Sequence, residues 1–163
     1  MEKDLRRLLY ETIGEVFEKM FFTFLDMPED CAQEPDKSEP LFMEANISLT
    51  AREQGWVRFY FPEALARHIT VNFLGIEAHG LDEKKIRDTL GEAVNMTLGS
   101  LLGRIDPQAI CGTIGIPEVH ALQGVSVGDV LANPEVIAFH SEFGWLLMEF
   151  GLLKACFGLS ANP

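Results

Sequence analysis

The stretch from Ile86 to Leu101 restricts the possible folds of this chain most, because its helical periodicity divides into two unlike sides. At about 100° per residue, Asp88, Glu92, Asn95 and Gly99 fall within an arc of about 60°, and Ile86, Leu90, Val94, Thr97 and Leu101 take the opposite side. A helix so divided must lay its apolar side on another layer of structure and keep the polar stripe outside. A carboxylate and an amide are then displayed together, one turn apart, beside a glycine.

The other segments supply that layer. Apolar residues at helical spacing (Leu8, Ile13, Phe17, Met20, Phe21, Phe24) predict a long helix over 3–26. Residues 27–40 shift to Pro, Asp, Glu, Ser and Lys, the composition of an exposed acidic loop. Leu41, Met43, Ala45, Ile47 and Leu49 alternate with mostly polar neighbours, and Trp56 to Phe61 follows a turn at Glu53-Gln54-Gly55, which predicts a β-hairpin. Pro62 suits a first helical position for a short helix ending before Gly75, and the polar-striped helix spans 82–103. Ala109 to Ile116 is rich in Ile and Gly, Val125 to Leu131 reads as a turn with a short helix, and Val136 to Phe150 as a hairpin around Ser141 to Gly144.

The two long helices resemble each other. Glu11-Thr-Ile-Gly-Glu15 set above Asp88-Thr-Leu-Gly-Glu92 matches at Thr, Gly and Glu with a 77-residue offset, and strand patterns follow both helices. This predicts two similar halves related by a pseudo-twofold axis. The copies differ in chemistry: Glu18 stands where the second has Asn95, and Phe22 where it has Gly99. A ring there would obstruct a partner surface that glycine admits.

The chain has 163 residues, 47% of them hydrophobic, which suits one well-buried core and a single domain over 1–163. Thirteen Lys and Arg against 25 Asp and Glu give a formal charge of −12, which repels nucleic-acid phosphates and anionic lipid headgroups. No apolar run reaches the roughly 20 residues of a membrane span, and the first residues lack a signal-peptide core, so a cytoplasmic protein is expected. Cys31, Cys111 and Cys156 lack the paired spacing of a zinc site or disulfide framework. His68, His79, His120 and His140 are scattered and read as surface or strand-end residues.

A Glu and an Asn three residues apart do not make a nucleophilic site, because no Ser, Cys or His completes a triad with them. They can position other groups. Glu92 can hold a cation through a charge-assisted hydrogen bond, and Asn95 can both donate to and accept from a water. In phosphoryl transfer, positioning and electrostatics do most of the work, so one oriented water suffices where another protein supplies metal and phosphate. The competing reading is a solvated helix face with no chemistry.

Twenty-one residues separate Asn95 from Pro117, and the set Asp88, Glu92, Asn95, Gly99 and Pro117 resembles the signature of the CheC, CheX and FliY family of chemotaxis phosphatases. The segment Ile13 to Phe22 is similar to the opening helix of the CheX branch. The resemblance implies an α/β fold in which two long helices pack on an antiparallel or mixed β-sheet, and the alternating strands and amphipathic helices agree with it. Met20, Phe21, Phe24, Leu90, Val94, Leu101 and Leu102 are the expected core, with Trp56 and Trp145 as packing residues in the hairpins.

Functionally, the resemblance implies removal of the phosphoryl group from the aspartate of a CheY-like response regulator. Glu92 would engage the regulator's lysine and Asn95 would place the attacking water. Asp88 would flank the site, Gly99 would permit close contact, and Pro117 would shape the neighbouring strand or loop. This chain would bind no cofactor of its own, the magnesium ion belonging to the regulator. With Glu18 in place of a second Asn, the pattern implies one site per subunit and a homodimer, as in the CheX branch. The alternative is a module that docks a response regulator or flagellar-switch component without hydrolysis. A metal-dependent hydrolase of small phosphorylated metabolites lacks a metal cage or phosphate loop in this sequence.

Overall fold

Alternation with period two turns residues 43–50 and 54–61 into an antiparallel pair of strands in a computed structural model, which describes residues 3–50, 54–105 and 112–151. Strands β1 (Met43–Thr50) and β2 (Gln54–Phe61) pair with Met43 opposite Phe61 and Thr50 opposite Gln54. A second hairpin, β5 (Ile137–Ser141) and β6 (Gly144–Gly151), closes with Ser141 opposite Gly144. β2 joins β6 antiparallel, Arg58 facing Glu149. The far side of β1 takes two short strands, β3 (Thr113–Ile114) and β4 (Glu118–Ala121), also antiparallel. The sheet is therefore wholly antiparallel, with order β3/β4, β1, β2, β6, β5.

Three helices cover one face: α1 (Lys3–Phe21), α2 (Glu63–Leu74) and α3 (Glu83–Ile105). Met43, Ala45, Ile47 and Leu49 of β1 and Phe59 and Phe61 of β2 all turn to this side and are buried against Leu9, Ile13 and Phe17 of α1 and Leu90, Val94 and Leu98 of α3. Each fully buried Phe or Leu here contributes about 1.5–3 kcal/mol relative to exposure. The alternate residues Tyr60, Trp145 and Leu147 form a smaller cluster on the other face with Val127 and Val130 of α4 (Val127–Leu131). β6 is thus buried on both sides, which explains its nearly continuous apolar sequence.

The two hairpins sit on either side of the β2–β6 junction in reversed order, as a pseudo-twofold axis through that junction requires, and a long helix precedes each. Trp56 packs as expected, its indole lying where a side chain on Gly151 would have to go, and Trp145 is 4% exposed. Phe21, Leu90, Val94 and Leu101 are buried and Leu102 packs partly against the core.

Several expectations need correction. The first helix ends at Phe21 instead of residue 26, because Phe22 turns left-handed (φ 52°) and the Thr23 N–H returns to the Phe17 carbonyl at 3.1 Å. Asn72 Nδ2 of α2 caps the Phe21 carbonyl at 2.9 Å. Met20 (38% exposed) and Phe24 (71%) are consequently not core residues. Phe22 has left the helix, so it is not the structural counterpart of Gly99, which lies inside α3. Pro62 is the N-cap of α2 and not its first helical residue; Gly75 ends that helix with φ 62°, as read from the sequence. The first strand begins at Met43, and Leu41 belongs to the smaller cluster. His68 is neither a surface nor a strand-end residue but sits half-buried on α2, stacked on Phe143 at 3.7 Å, whereas His140 lies next to the end of β5 as expected, 5.0 Å from the Trp145 ring. Glu53 of the first turn, Ala109 to Cys111 and Cys156 lie outside the described residues.

Candidate functional site

The polar stripe is positioned by how α3 is anchored. Asp82 caps its start, its carboxylate accepting the Lys85 N–H at 2.8 Å, which supplies the partner that a first-turn N–H lacks. Ile86, Leu90, Ala93, Val94, Leu98 and Leu101 are buried at 2% exposure or less, so the helix cannot rotate without exposing its apolar side. Near its end, Arg104 reaches Glu15 of α1 at 2.8 Å, and that hydrogen bond holds the Glu15 carboxyl below its usual pKa.

Asp88, Glu92, Asn95 and Gly99 lie on the remaining side of α3. Asp88 and Gly99 are exposed, and Glu92 and Asn95 are half-buried. Lys84 Nζ donates to Asp88 Oδ2 at 2.6 Å, and this bond raises the lysine pKa. Glu92 and Asn95 make no side-chain hydrogen bond or ion pair among the described residues. The chain therefore holds an unengaged carboxylate and an unengaged amide side by side on a rigid element.

Pro117 arrives from the turn between β3 and β4. It stands against Gly91, where an added Cβ would lie 3.4 Å from the proline Cβ and 3.6 Å from Val119 Cγ2. Asp88, Glu92 and Pro117 line one shallow depression of about 340 Å³ together with Arg87, Gly91 and Val119. The fold thus brings Pro117 from 25 positions along the chain to the flank of Glu92, while Asn95 and Gly99 continue along the helix beyond the depression.

Three residues of this region escaped the sequence reading. Arg87 joins Glu83 of its own helix and the Val119 carbonyl; the Glu83–Arg87 spacing was visible, but the second partner comes from tertiary structure. Gly91 was visible in the helix repeat without its role beneath Pro117. Ile116, 87% exposed, carried no sequence signal because its apolar character suggested burial. Among the described residues, no three His, Cys, Asp or Glu side chains converge in a way that could hold a metal ion, and no helix is long and apolar enough to cross a membrane.

Comparison with known proteins shows the family and the fold. The CheX family model, described as chemotaxis phosphatase CheX, matches residues 43–140. No curated protein matches the chain. Among solved structures, chemotaxis protein CheX from Vibrio vulnificus is similar at 20% identity over 88% of this chain and 95% of that one, with a TM-score of 0.66. CheX from Desulfovibrio desulfuricans gives 17% identity over 91% and 99%, with a TM-score of 0.66. A CheX–CheY–BeF3–Mg2+ complex from Borrelia burgdorferi gives 11% over 89% and 95%, with a TM-score of 0.60. At these identities the structures show a common fold. The family model spans more than half the chain and takes in most of the sheet, the whole of α3 and the Pro117 turn, and on that ground the chain belongs to the CheX family.

Proposed function

We propose that this protein is an aspartyl-phosphate phosphatase acting on a CheY-like response regulator, with Glu92 and Asn95 as its working residues. The observation that carries the reading is the pair of unengaged polar side chains on a fixed helix face, in a chain of the CheX family. The Borrelia neighbour, a CheX bound to CheY with BeF3 and Mg2+, supports the choice of partner.

In this reading α3 lies over the regulator's active site, where Gly99 lets the two backbones approach. The Glu92 carboxylate accepts a charge-assisted hydrogen bond from the regulator's lysine and fixes the docked geometry. Asn95 enters the site, its carbonyl oxygen accepting from the attacking water and its NH2 donating to a neighbouring oxygen, so the water lone pair faces phosphorus. The water oxygen bonds to phosphorus as the bond to the aspartate oxygen breaks; inorganic phosphate leaves and the regulator recovers its free carboxylate. Magnesium is the regulator's and offsets charge on the phosphoryl oxygens. Asp88, turned aside by Lys84, flanks the contact, and Pro117 shapes its edge.

Asn95 is half-buried and makes no side-chain hydrogen bond among the described residues, an arrangement suited to insertion into a partner. A homodimer with one site per subunit, working in the cytoplasm with its regulator, completes the proposal. The direct test is the decay of radiolabelled aspartyl phosphate on a CheY-like regulator with magnesium, with and without this protein. Accelerated decay supports the phosphatase; binding with unchanged decay leaves a docking module as the better account.

A further inference from the structure

The turn between β3 and β4 is pinned from two sides. Beneath it, the Gly115 N–H donates to the Ser48 carbonyl of β1 at 2.8 Å, and a side chain at 115 would collide with Ser48. Above it, Arg87 Nη1 donates to the Val119 carbonyl at 2.7 Å, while Nε and Nη2 of the same guanidinium hold Glu83 Oε1 at 2.9 and 2.7 Å. The Arg87 side chain is 34% exposed, so its bond to β4 is partly shielded from water. Between the pins, Pro117 rests against Gly91 and Ile116 projects into solvent with 87% of its surface exposed.

The two hydrogen bonds fix the backbone at Gly115 and Val119, on either side of the exposed Ile116. The next residue, Pro117, shares a depression with Asp88 and Glu92. A partner whose active-site cleft receives the α3 stripe therefore meets this ledge with the rim of that cleft. For a chain of charge −12, an apolar contact adds affinity that salt does not screen.

We propose that Ile116 is a docking contact for the response regulator seated on α3, and that Arg87 is the positioning residue that holds the Gly115–Val119 ledge in place to make it. The identity of the occupant rests on the phosphatase reading above. Arg87 acts through the ledge and does not touch the reacting atoms.

Three measurements on the full chain test this: kcat and KM for the phosphorylated regulator, Kd for the regulator activated with beryllofluoride, and amide hydrogen exchange over 113–121. Arg87→Ala is expected to speed exchange in 113–121 with α3 unchanged, and to raise KM and Kd about tenfold with kcat within about twofold. Ile116→Ser, a surface change that spares the fold, is expected to raise KM and Kd about fivefold and leave exchange as in wild type. Unchanged KM and Kd in both variants would overturn the proposal, as would a loss confined to kcat. A wild-type chain that binds the regulator but does not speed decay refutes the phosphatase reading, and the ledge is then judged on Kd alone by the same criteria. A wild-type chain that binds no regulator refutes both.

Discussion

Phe22 shows how one residue can end an element without announcing it in the sequence. Its φ of 52° is a conformation that costs a residue with a Cβ roughly 1 kcal/mol, and its ring is 70% exposed, so little packing offsets the cost. Replacing it with Gly is expected to stabilise the protein by about 0.5–1 kcal/mol, read as a higher urea midpoint at unchanged slope. The helical apolar spacing runs on through Phe24, and no Gly or Pro stands between Phe17 and Phe24 to mark the end. The turn at Phe22 is held partly from outside the local sequence: the last carbonyl of α1, Phe21, accepts from the Thr23 hydroxyl at 3.0 Å and from Asn72 Nδ2 of α2 at 2.9 Å. The Glu92 and Asn95 positions were legible for the opposite reason, since a helix that buries Leu90 and Val94 has to turn 92 and 95 outward. Arg87 was not, because hydrogen bonds to a carbonyl 32 residues away leave no trace in spacing.

Among elements, the hairpins were the most readable. Alternation gave β1, and Ser141 to Gly144 gave the turn between β5 and β6. Gly144 has φ 107°, and a side chain there would stand 2.7 Å from Glu39 Oε1 and 2.9 Å from Pro62 Cγ. Gly144→Ala is therefore expected to lower stability by about 1–3 kcal/mol in denaturant titration, the proline ring having little freedom to move aside. β3 and β4 were not resolved from sequence, since a strand of two residues and one of four carry too few alternations to register. Their place in the sheet is set by pairing with β1, and through that pairing Pro117 reaches α3.

At the scale of the whole molecule, the two halves share a plan of long helix and antiparallel hairpin about the β2–β6 junction, yet they carry different side chains at the comparable helix position. Glu18 is exposed on α1 and has no amide to offer a water. Glu18→Ala is expected to leave regulator dephosphorylation within about twofold of wild type; a loss of tenfold or more would mean that the first half also carries function. The strand order and the all-antiparallel pairing were only partly legible, because a repeat in sequence predicts related halves without saying which strands meet at their junction. The central claim concerns Asn95. It is tested most directly by following the decay of aspartyl phosphate on a CheY-like regulator with magnesium, with wild type and with Asn95→Ala at matched concentrations. The account predicts acceleration by wild type and a loss of at least about 100-fold in the variant, about 2.7 kcal/mol of transition-state stabilisation, with an unchanged fold by circular dichroism. An Asn95→Ala chain that dephosphorylates the regulator as fast as wild type would contradict it.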